Sequence, residues 1–123
     1  MKSRHAARDR GAVAVEFVLV APLFFSVMLG IVEFANFFRV QISVTQAARE
    51  AARSMAISNN QATATAAATA AAPTIGPLSY AFSPATCAPN QTVTVSIQYS
   101  MPSLTGIAGP WTVSGVSAMR CGG

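Results

Sequence analysis

Four carboxylates, one histidine and two cysteines are all that the 123-residue sequence offers for carboxylate, imidazole or thiol chemistry. The carboxylates are Asp9, Glu16, Glu33 and Glu50; the histidine is His5; the cysteines are Cys87 and Cys121. A thiol or hydroxyl nucleophile needs a base beside it, and the single histidine sits in a basic N-terminal tail with no cysteine near it. Glu16 and Glu33 are 17 residues apart and cannot form an acid–base pair on one helix. No group of residues has metal-ligand spacing, and no glycine-rich loop would cradle a phosphate. The inventory argues against an enzyme and gives no reason to expect a metal or cofactor. What remains is two carboxylates in an apolar setting, Glu16 and Glu33, and one cysteine pair.

Glu16 stands at the head of the stretch that organises the chain. Lys2, Arg4, Arg8 and Arg10, opposed only by Asp9, precede Gly11. Four small or apolar residues follow, then Glu16, then residues 17–32 without a charge. Sixteen helical residues rise about 24 Å, short of the roughly 30 Å hydrocarbon core. Residues 12–38 would cross it, with Glu16 and Glu33 near the two edges and Phe34, Phe37, Phe38 and Arg39 at the far interface. A carboxylate at a bilayer edge costs little; one buried in the apolar helix requires a cationic partner. Pro22 inside the span predicts a local bend, or a hinge used in leaving the bilayer.

The basic tail belongs on the cytoplasmic side, which places everything after Arg39 across the membrane. It supplies +3 of the net charge of +4, so the pI near 9.8 reflects targeting and not nucleic-acid binding. A conventional cleaved signal peptide is the rival reading. It lacks a good small-residue cleavage step, since Val32-Glu33-Phe34-Ala35 is a poor match.

Beyond the span, Val40, Val44, Ala47, Ala48, Ala51 and Met55 recur at helical spacing, so the helix is expected to continue with one apolar stripe. That stripe could cover the chain's own C-terminal part or meet partner helices. Ser58, Asn59 and Asn60 offer a turn and cap. The alanine-rich run 61–72 reads as a second short helix, with a flexible linker as the alternative, and Pro73 stops it. From residue 74 the period becomes two. Leu78, Tyr80 and Phe82 alternate in one segment, Val93, Val95, Ile97, Tyr99 and Met101 in a second, and 111–120 gives a third whose slip at Gly115 predicts a bulge. The predicted fold is α+β: a long N-terminal transmembrane helix continuing outside the membrane, a short alanine-rich helix, then a three-stranded antiparallel sheet covered by the helices. The predicted divisions are a basic leader at 1–11, read as disordered, the span at 12–38, extramembrane helices at 39–72 and the sheet domain at 73–123.

The leader, Gly11, and Glu16-Phe17 opening an apolar helix resemble a class III, type IV prepilin-like signal. Together with Arg10-Gly11-Ala12-Val13-Ala14-Val15, the Ala21-Pro22-Leu23 step and Gly30-Ile31-Val32-Glu33-Phe34, the stretch resembles the TadE-like pseudopilins of tight-adherence pili over residues 10–57. The resemblance implies cleavage between Gly11 and Ala12 by a prepilin peptidase. Removing 11 of 123 residues would leave 112 and make Glu16 the fifth residue of the mature chain. The new ammonium at Ala12 could then pair with Glu16 of the same or a neighbouring subunit during assembly. It also implies a bacterial inner-membrane location with a periplasmic C-terminal domain, and three partners: the peptidase, other pilin and pseudopilin subunits, and an inner-membrane assembly platform. Alanine after the scissile bond and the extra domain fit a minor component. The alternatives are an uncleaved single-pass anchor displaying a small binding domain and a soluble exported protein. In an exported domain Cys87 and Cys121 can form one disulfide, the other state being two free thiols.

Overall fold

A computed structural model describes the backbone of residues 2–122 and the side chains of residues 9–122. Five elements follow in order: α1 (Lys2–Ser58), α2 (Gln61–Ala71), β1 (Ser79–Ser83), β2 (Thr92–Met101) and β3 (Trp111–Arg120). The chain divides into a first unit, residues 1–35, and a second from Asn36 onward.

The first unit is helix alone. It includes residues 2–10, so the stretch expected to be disordered is helical; Ala6 and Ala7 together with arginines are strong helix formers that extend the apolar helix behind them. The side chain of His5 lies outside the described residues. The helix assignment runs through Pro22 without a break, and Ser26 Oγ donates to the Pro22 carbonyl at 2.8 Å. Val13, Phe17, Leu19, Leu23, Phe25 and Ile31 are each more than 60% exposed. Helix apolar all round with no protein against it is the pattern of a membrane span, and no residue in the most apolar window of α1 is buried.

The second unit is a helix-covered sheet. The strands are antiparallel in the order β1-β2-β3. Alternation puts Val93, Val95, Ile97 and Met101 of β2 and Val113 of β3 on the buried face, and the opposite face carries Thr94, Ser96, Gln98, Ser114 and the exposed Val116. The α1 stripe from Val40 through Met55 is buried, together with Ala52 and Ala56, so it packs on the chain's own C-terminal part. The alanine-rich run is a helix and not a linker. Asn60 caps it by accepting from the amides of Ala62 and Thr63, and Ala64, Ala68 and Ala72, four residues apart on one face, join the core.

The bulge expected at Gly115 is absent. β3 pairs with β2 without interruption from Met101↔Trp111 to Thr92↔Arg120. Gly115 answers a different need: a Cβ there would lie 2.7 Å from the Val44 carbonyl oxygen, so the missing side chain lets the α1 backbone approach the strand. A glycine inside a strand marks either a bulge or a close approach of another backbone, and sequence alone does not separate the two. Restoring Gly115 to its place explains the slip, because Val113 and Gly115 face inward and Val116 and Ala118 face out.

Candidate functional site

The residues singled out from the sequence form two groups. Gly11, Ala12 and Glu16 lie within a turn and a half of α1, where every residue from Asp9 to Val20 is exposed. Helical rise puts Glu16 about 6 Å beyond Ala12 on the same side of the helix. Nothing lies within 4 Å of the place where a Gly11 side chain would project. The Gly11–Ala12 peptide is accessible but held in helical backbone, with apolar neighbours Val13, Val15 and Phe17 open on all sides. A carboxylate, a glycine and an exposed peptide bond cannot catalyse anything by themselves. They can present a bond to another enzyme, and a carboxylate to any cation brought near it. Glu33, the second acidic residue of the apolar stretch, is half-buried and 17 residues further on.

The second group belongs to the sheet unit. Cys87 and Cys121 form a disulfide with their Cα atoms 5.6 Å apart. Around it, the Cys87 amide donates to Asn59 Oδ1 at 2.6 Å, the Cys121 amide to the Gln91 carbonyl at 2.8 Å, and the Gly122 amide to the Ala56 carbonyl at 3.2 Å. Gln61 Nε2 donates to the Ala85 carbonyl at 2.8 Å. The bridge thus fastens the β1–β2 connection and the end of β3 to the corner where α1 passes into α2. Its role is structural.

Along α1 from Arg39 on, the stripe is buried in the core, and Arg39, Ile42, Gln46, Arg49, Glu50 and Arg53 remain on the open side. A groove of about 230 Å³ lined by Gln41, Ile42, Thr45, Gln46 and Arg49 runs there. Gln41 Nε2 also donates to the Ser114 carbonyl at 2.9 Å, covering one acceptor of β3, an edge strand. Among the described residues, no three His, Cys, Asp or Glu side chains converge as a metal site.

Two features escaped sequence reasoning. One is the backbone approach at Gly115. The other is an apolar trio in and beside the β2–β3 connection, Leu104, Ile107 and Trp111, which are 61%, 84% and 48% exposed. A signal for the second was present: no charged residue lies between Arg53 and Arg120.

Residues 11–53 match the family described as TadE-like protein. The match begins at Gly11, takes in the apolar helix and most of the buried stripe, and stops before α2 and the sheet. No curated protein and no solved structure matches the chain.

Proposed function

Residues 11–53 match the TadE-like family, and from that match we propose that the chain is a minor pseudopilin that takes part in assembling a tight-adherence pilus. In this reading the apolar helix spans the membrane and the chain's role is structural and non-catalytic. The observation that carries the reading further is where the match starts. Its first residue is Gly11, the last residue before the proposed cut.

In this reading a prepilin peptidase hydrolyses the Gly11–Ala12 bond. Water adds across the amide, the new carboxylate leaves with the leader, and the ammonium stays on Ala12. The bond lies within α1, so the peptidase must first unwind the helix there. Glycine makes that easier by about 1 kcal/mol relative to alanine. The ammonium then stands one turn from Glu16, and in an apolar environment each charge penalises being left alone. Pairing within one subunit, or from one subunit to the next, satisfies both and sets an axial register between helices.

The basic leader stays cytoplasmic under the positive-inside rule, which places the sheet unit in the periplasm with its disulfide in an oxidising compartment. The peptidase, an inner-membrane assembly platform and other pilin and pseudopilin subunits are the partners. The exposed side of α1 carrying Arg39, Arg49 and Arg53 is the available docking face beyond the span.

The test is expression with and without the peptidase, read by immunoblot. Wild-type protein should shorten by the leader only when the peptidase is present, and Gly11→Arg should stay full length. Glu16→Ala should be inserted and cleaved normally but assemble poorly. Equal lengths with and without the peptidase would leave the uncleaved single-pass anchor as the better reading. Wild-type piliation by Glu16→Ala would remove Glu16 from the pairing role.

A further inference from the structure

We propose that the β2–β3 connection, residues 102–110 together with Trp111, is a second membrane contact that inserts into the headgroup–acyl boundary beside the point where α1 leaves the bilayer. The proposal rests on the membrane span and is independent of leader cleavage.

The first argument is position within the sheet unit. The Gly122 amide meets the Ala56 carbonyl. Gly115 lies over Val44, and the Ser114 carbonyl meets Gln41. Met101, paired with Trp111, has its sulfur 3.8 Å from Asn36 Nδ2. β3 therefore runs alongside the part of α1 that follows Asn36, and its Trp111 end lies near Asn36. Asn36 opens the sheet unit and falls in the last turn of the span expected at 12–38. The connection joining Met101 to Trp111 is therefore at the Asn36 end of the sheet.

The second argument is chemistry. Residues 102–110 carry no charge, and Leu104 and Ile107 are among the more exposed large side chains outside α1. Tryptophan is the residue most enriched at membrane interfaces. The Trp111 ring lies against Gly109, where an added Cβ would meet its Cδ1 at 3.0 Å, so the ring is held beside the loop. Backbone entering a bilayer boundary must have its donors satisfied. Here the loop supplies acceptors for two of its amides. Gly106 N donates to Ser103 Oγ at 2.7 Å, and Ile107 N to Thr105 Oγ1 at 3.4 Å. Apolar tips, with two of the loop's amides satisfied inside it, suit a lipid boundary better than open water.

The consequence is a sheet unit held at the bilayer surface by two attachments, the helix and the loop. A subunit leaving the membrane must withdraw both.

Trp111 is the only tryptophan, which makes the test direct. Full-length protein is reconstituted in vesicles of phosphatidylethanolamine and phosphatidylglycerol, with lipids brominated near the head or near the tail of the acyl chain. Emission from Trp111 should be blue-shifted relative to the denatured protein and quenched more by the head-proximal bromine. Leu104→Asp/Ile107→Asp should shift the emission to the red and lose most of the quenching, whereas Val116→Asp on the outer sheet face should change neither. Wild-type quenching decides the matter even if the double variant fails to fold. Emission that acrylamide quenches and brominated lipid does not would overturn the proposal. So would shielding from both, which would indicate contact with another protein subunit.

Discussion

α1 is one helix with two surroundings. From Val13 to Phe34 its large apolar side chains are exposed around the whole circumference, while from Val40 to Ala56 its apolar residues are buried on one side and its arginines lie on the other. Backbone geometry does not mark the change; the appearance of a charged side does. Side-chain size and spacing differ as well. The first half uses Phe, Leu, Val and Ile with no polar face, as a helix surrounded by lipid requires. The second uses mainly alanine on its buried side, with Val40, Val44 and Met55 as the larger members. Small residues let the sheet come so close that β3 needs Gly115 where it crosses Val44. Lipid adapts its shape to whatever meets it; a sheet does not. The first half should therefore tolerate changes in size, and the second should not.

A charge at the centre of the second half separates them most sharply. Ala48 is fully buried, so Ala48→Glu should cost about 3–5 kcal/mol, the penalty of an uncompensated buried charge. It should abolish cooperative unfolding of the sheet unit in a denaturant titration. Leu19→Ala, in the first half, should move the same transition by no more than about 0.5 kcal/mol. Next in size is reduction of the Cys87–Cys121 bridge. It closes a separation of 34 residues, worth about 3–4 kcal/mol by chain entropy. Thiol reductant should lower the denaturant midpoint of the sheet unit while leaving membrane association intact. The smallest effect is the glycine pair. Gly115→Ala should destabilise by about 1–3 kcal/mol through forced displacement of the α1 backbone. Gly11→Ala, with nothing within 4 Å, should leave that transition where it is.

Much of this architecture was legible because it rests on local periodicity. The β2 alternation from Val93 to Met101, the stripe from Val40 to Met55 and the Asn60 cap each follow from spacing or from a side chain acting within a few residues of itself. What was not legible depends on contacts distant in sequence. Gly115 has its reason in Val44, and the open edge of β3 is partly covered by Gln41 through a bond across 73 positions. The apolar loop tip at Leu104 and Ile107 acquires meaning only when β3 is laid along α1. The candidate processing stretch is the opposite case. Leader charge, Gly11, Glu16 and the apolar run are all sequence features, and the structure adds that the bond is exposed and helical.

The claim that one helix serves two solvents is tested most directly by cysteine scanning of positions open in the fold. Leu19, Phe25 and Ile31 are 72%, 63% and 63% exposed, and Ile42 is 58% exposed, with Gln46 and Arg49 also on the open side. Single cysteines at these six sites would be treated with a charged maleimide in membranes open to reagent from both faces. Positions 42, 46 and 49 should label rapidly, and 19, 25 and 31 only after detergent is added. Labelling at 19, 25 or 31 in the intact membrane, or refusal at 42, 46 and 49, would contradict the account.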